Sequence, residues 1–155
     1  MSTWARVRYR VTQFGRWILD AVRPVDRTYV DEQLDTPELV DLFTQMSRAD
    51  QHHGIAVART LARRGTHNPD LIAAALLHDV GKSRVRVRVW ARVMVVLGEW
   101  LLPDAAARWG RGDAKGLTRA FVVRRRHAAW GAEMADRAGA SAMTVASALA
   151  SARPA

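Results

Sequence analysis

A chain of 155 residues with no cysteine and a formal charge of +9 is long enough to form one domain around its own hydrophobic core. The missing thiols exclude a disulfide framework, a thiolate metal site and a cysteine nucleophile, so any metal has to bind through nitrogen and oxygen. The positive charge favours anionic partners (phosphate esters, nucleic acid or an acidic membrane surface) without choosing among them.

Trp4, Val7, Val11, Phe14, Ile18 and Ala21 recur at helical spacing and predict an amphipathic helix that ends before Pro24. A membrane-surface or targeting helix shares that pattern, but packing onto a core is its commoner cause. No uninterrupted apolar stretch follows Arg6, Arg8 and Arg10, so a secretory signal is not expected. A second helix is predicted over 36–45, with Thr36 as cap and Pro37 at its first position. A third covers 48–64 and closes at Gly65.

Asn68 and Pro69 then start a fourth helix, whose stripe Leu71, Ala74, Ala75 and His78 is stopped by Gly81. Arginine alternates with valine from Arg84 to Val89, which is a strand signal. The apolar residues nevertheless continue in helical phase through Val93, Val96, Leu97, Trp100 and Leu101, so a helix is expected over 87–102. The apolar run 89–102 is too short to span a bilayer and carries Arg92 and Glu99. A charged, glycine-rich loop at 110–116 precedes a long helix over 117–138, a last helix of small residues over 141–151, and a tail. The expectation is an all-α cytoplasmic protein, with Trp17, Trp90, Trp100 and Trp130 in its core.

The chemistry concentrates on histidine. His53 shares a helical face with Ala56, Val57, Thr60 and Leu61; His78 ends the apolar stripe of the fourth helix, next to Asp79; His127 lines up with Val123, Trp130 and Met134. A single histidine on an apolar face is more often a hydrogen-bonded core residue than a ligand. Three such residues, one beside an aspartate, favour a divalent metal poised to activate water. His52 lies about 100° round the helix from His53, and His67 falls in a loop. Lys82 is close enough to the His-Asp pair to meet a phosphate, or it serves as a cation at a helix end. Arg84, Arg86, Arg88, Arg92 and Arg124, Arg125 and Arg126 suit phosphate, although a solvated helix face is the commoner explanation of such runs.

These motifs resemble the HD-domain superfamily of metal-dependent phosphohydrolases. The family hallmark is a histidine on one helix, a His-Asp pair on a later one and a distal aspartate; His53 and His78-Asp79 match the first two. Their surroundings, His53-Gly-Ile-Ala-Val-Ala and Ala73-Ala-Ala-Leu-Leu-His-Asp-Val-Gly-Lys, also look like the family's, and the whole chain is similar to small bacterial HD proteins. The resemblance implies an HD-type helical bundle over 1–155, with an N-terminal extension over 1–45, a core over 46–152 and a tail over 153–155. It further implies a divalent ion (Mn, Mg, Fe, Co or Zn) on His53, His78 and Asp79. His127 resembles the histidine that binds a second metal in two-metal members. Asp79 and Lys82 would be catalytic, and the substrate would be a phosphorylated small molecule such as a nucleotide.

One departure stands out. The family's last ligand is an aspartate on the final core helix, yet residues 141–155 contain no Asp, Glu or His. A helix starting at Ser141 would bring Ser147, Ala148 or Ser151 back to the bundle, none of them a ligand. The resemblance therefore allows two outcomes: a hydrolase with an incomplete ligand set, or a degenerate module that binds metal or nucleotide without turnover. A nucleic-acid or anionic-membrane binder using the basic surface is a third class, marked by affinity that falls steeply with salt.

Overall fold

The computed structural model describes residues 23–85, 91, 95, 98, 101–113 and 115–150. Those residues are all-α, with seven α-helices and no strand. The expected first helix lies outside them, as does most of the one over 87–102, whose described positions Ala91, Val95, Gly98 and Leu101 are helical. Among the described residues, no helix is long and apolar enough to cross a membrane.

Local chemistry fixes most helix ends. Helix α1 (Arg27–Gln33) starts where the Asp26 side chain accepts from the Tyr29 N–H. It is short and buries only Val30, which is why periodicity gave no sign of it. Arg59 clamps it from the outside, pairing with Asp26 at 2.5 Å and stacking over the Tyr29 ring. Helix α2 (Pro37–Thr44) begins at Thr36, whose side chain accepts from Leu39 N, and α3 (Arg48–Arg63) begins at Ser47, which accepts from Asp50 N. Between them the Gln51 amide donates to the carbonyls of Phe43, Thr44 and Met46, holding the α2–α3 corner from inside.

Helix α3 closes with Gly65 at φ +86°. The Gly65 and Thr66 N–H groups return to the carbonyls of Ala62 and Leu61, the double closure that a left-handed residue permits. Helix α4 (Pro69–Leu77) is capped by Asn68, and every residue from Ile72 to Leu77 is buried. A helix apolar all round belongs at the centre of a domain; α4 packs against α1, α2, α3 and the last helix, α7. Around it gather Val30, Leu42, Phe43, Ile55 and Ala135.

The chain leaves α4 through a 3-10 turn, Val80–Arg84, instead of stopping at Gly81 as its sequence suggests. That turn lies flat on the long helix α6 (Arg119–Arg137). Gly81 is needed for contact, since a Cβ there would sit 1.8 Å from the His127 carbonyl oxygen and 2.6 Å from the Gly131 nitrogen. Before α6 come α5 (Pro103–Trp109) and a short 3-10 turn, Gly116–Thr118. Helix α7 (Ala142–Ala150) packs on α6 and α4. Trp130 is half-buried beneath Arg84, 5.6 Å from its ring centroid, and not in the core as expected; Trp17, Trp90 and Trp100 lie outside the described residues.

Candidate metal centre

The site forms where the apolar helix α4 ends. A helix C-terminus leaves carbonyls without intrahelical partners, and His78 answers one of them: its Nδ1 lies 2.8 Å from the Ala75 oxygen. His127, in the interior of α6, is tethered in a similar way, with Nδ1 3.1 and 2.9 Å from the carbonyls of Val123 and Arg124, one turn back on its own helix. A carbonyl can only accept, so each neutral imidazole carries its proton on Nδ1 and turns the lone pair of Nε2 outward. A carbonyl bond of this kind fixes the ring and its tautomer and so readies a histidine for a metal.

Both lone pairs face one carboxylate. His78 Nε2 lies 3.4 Å from Asp79 Oδ2, and His127 Nε2 lies 3.8 Å from Asp79 Oδ1. His53 completes the group from α3, its ring edge-on to His78 at 5.1 Å between centroids. Gly54 allows that approach, because a Cβ there would come within 2.7 Å of the Leu76 carbonyl oxygen. Ligand atoms of His53, His78 and Asp79 all lie within 4.8 Å of one another. Bonds of about 2.0–2.3 Å to one ion would need them only slightly closer. The donor set thus fits a divalent cation: acceptors converge on acceptors, an arrangement that repels unless a cation lies among them.

Lys82 supplies the positive charge in this structure, its Nζ 2.5 Å from Asp79 Oδ2. Asp79 is buried, at 4 % exposure. Burial by itself would raise its pKa, but the Lys82 ammonium beside it holds the carboxyl below its ordinary value. The two histidines shift through desolvation. His53 is open to solvent on one side, yet the loss of water around its inner edge lowers its pKa, against a raising influence from Asp79. Desolvation likewise lowers that of His127, helped by Lys82. Both are held towards the neutral form that binds metals.

The geometry brings together all five residues that the sequence singled out: His53, His78, Asp79, Lys82 and His127. It keeps the others apart. His52 points to the Arg23 carbonyl, 3.3 Å from its Nε2, and His67 is exposed. The N-terminal end of α7 is anchored at Asp70 by Ser141 and Thr144. Asp70 lies in the first turn of α4 and His78 at its other end, roughly 12 Å along the axis. Ser147 is half-buried and Ala148 buried, so the inner face of α7 offers small residues and no carboxylate, while Ser151 lies outside the described residues.

Asp50 is the residue that sequence reasoning missed. It is buried, at 6 % exposure, and its Oδ1 lies 3.4 Å from Lys82 Nζ. Its position three residues before His53 puts both on one face of α3, a signal that was available. A groove of about 380 Å³ lined by Pro24, Arg27, Thr44 and Gln51 opens beside the start of α3 and includes none of the cluster residues. Comparison with protein-family models, with curated proteins and with solved structures finds no match to the chain.

Proposed function

We propose that this chain is an HD-type, metal-dependent phosphohydrolase acting on a phosphate ester, a nucleotide or a similar small molecule. The observation that carries the reading is the convergence of His53, His78 and Asp79, with ligand atoms within 4.8 Å of one another. The Nδ1 tethers of His78 and His127 support it. A divalent ion held there would supply Lewis acidity and a water acidified towards neutrality.

The chain's own groups do the rest. His53, His78 and Asp79 would hold the ion, a number of protein ligands that suffices for a catalytic site. His127, on the same wall, adds a further nitrogen donor. The Lys82 ammonium, only partly buried, steadies a phosphate oxygen and offsets the negative charge that grows there as the ester is attacked. The overall charge of +9 draws an anionic ester towards the protein.

Metal analysis of the purified chain and a phosphatase and nucleotide screen with manganese, magnesium, cobalt and iron test the reading. Asp79→Ala should reduce metal-dependent turnover by about 100-fold or more while leaving helix content near that of the parent. Turnover that survives the substitution would move the active site elsewhere. A second reading, a module that binds metal or nucleotide without turnover, draws on the carboxylate-free inner face of α7. Tight metal binding with no hydrolysis across the screen would select it.

A further inference from the structure

Asp50 occupies an unusual position for a capping residue. Its Oδ2 accepts the Ser47 hydroxyl at 2.5 Å while Ser47 accepts from the Asp50 N–H, so both groups at the start of α3 are locked in place. The locked carboxylate presents Oδ1 to Lys82 Nζ at 3.4 Å, and the same ammonium touches Asp79 Oδ2 at 2.5 Å. One cation therefore spans two buried carboxylates, of which one belongs to the candidate metal cluster and the other does not.

A divalent ion and an ammonium repel each other and compete for the Asp79 carboxylate. Lysine carries its charge on a flexible four-carbon stem with rotatable donors, so the ammonium can move between the two oxygens without backbone change. We propose that Lys82 is an internal cation that yields Asp79 to the metal and retracts onto Asp50, which makes Asp50 the positioning residue that keeps the ammonium at the rim of the loaded site. This deepens the metal reading and rests on it. Asp50 acts through Lys82: it lowers the cost of evicting the ammonium, and it leaves that charge where a phosphate oxygen would approach. Buried carboxylates need a partner cation, and Asp50 keeps Lys82 within reach in either state.

The test is a double-mutant cycle read by manganese(II) titration calorimetry on the full chain, with metal-free melting temperatures as the check on folding. Lys82→Met removes the competitor and should tighten manganese binding about tenfold. Asp50→Asn leaves the ammonium with Asp79 and should weaken binding about tenfold, the lower end of outer-shell effects. The double variant should match Lys82→Met within about twofold, because the influence of Asp50 passes through Lys82. Equal losses from Asp50→Asn with and without Lys82 would overturn the proposal and make Asp50 a ligand. Unchanged affinity in Lys82→Met would overturn it too, by showing that no competition exists. If Asp50→Asn alone fails to fold, the comparison of the double variant with Lys82→Met decides the matter. A parent chain that binds none of manganese, magnesium, cobalt, iron and zinc sinks the metal reading itself; a parent that binds with an uncoupled cycle sinks only the role of Asp50.

Discussion

Asp79 receives one ammonium and two imidazole edges within 3.8 Å, and this crowding makes the site sensitive to protons. His53 and His127 both titrate below their ordinary value of 6.5, chiefly because the fold desolvates them. The unfolded chain takes up their protons near pH 6.5, whereas the folded chain does so only at lower pH. Folding stability must then fall as pH drops below 6.5, until the lowered values are themselves passed. Asp79 acts later: its depressed pKa adds stability above the ordinary carboxylate value, lost as pH falls through the lowered one. Metal-free melting temperatures at pH 7.5 and 5.5 check the histidine contribution, with a lower value expected at 5.5. The difference should shrink in His53→Gln and again in His127→Gln; a difference that ignores both substitutions would place the sensitivity elsewhere. The histidines and Asp79 were legible because each lies in a local apolar pattern or an adjacent pair. Asp50 was overlooked: its place on the His53 face of α3 could be read, but its neighbour Lys82 is brought to it from 32 positions away.

Helix ends were readable from the chain because their chemistry is local: Thr36, Asn68 and Gly65 each act within a few residues of themselves. Gly81 was misread for the opposite reason. Its sequence context suggests a stop, but what requires glycine there is the backbone of α6, roughly fifty residues on. Two substitutions separate the two kinds of glycine. Gly65→Ala meets nothing within 4 Å but must adopt φ +86°, which should cost about 1 kcal/mol of stability and leave metal affinity unchanged. Gly81→Ala would press a methyl group on the His127 carbonyl and should cost about 1–3 kcal/mol. It should also weaken metal binding, because Asp79 and His127 separate when the 3-10 turn lifts off α6. Calorimetry on both variants reads the contrast, and equal metal affinities would mean that the turn does not set the site.

The molecule as a whole joins three helices at one point: α3 brings His53, the end of α4 brings His78 and Asp79, and α6 brings His127. An all-α architecture followed from periodicity alone, whereas the meeting of these helices depends on long-range packing that one sequence does not display. The core beneath the site is apolar and close to complete without any ion, with Phe43, Leu76, Leu77, Val30 and Val80 wholly buried. Lys82 meanwhile partners the Asp79 charge. The metal-free chain is therefore expected to fold, unlike small domains whose fold depends on their metal. An ion that binds only the folded state then adds stability by mass action, about 2.7 kcal/mol at a concentration one hundred times its dissociation constant. For a domain of this size that raises the melting temperature by about 5–10 °C. Melting the chain with manganese, then again after adding chelator, measures the gain and its reversal. A chain that unfolds on chelation would make the ion part of the fold. A melting temperature indifferent to manganese, magnesium, cobalt, iron and zinc would remove the metal centre and leave the convergence of three histidines and an aspartate as packing around Lys82.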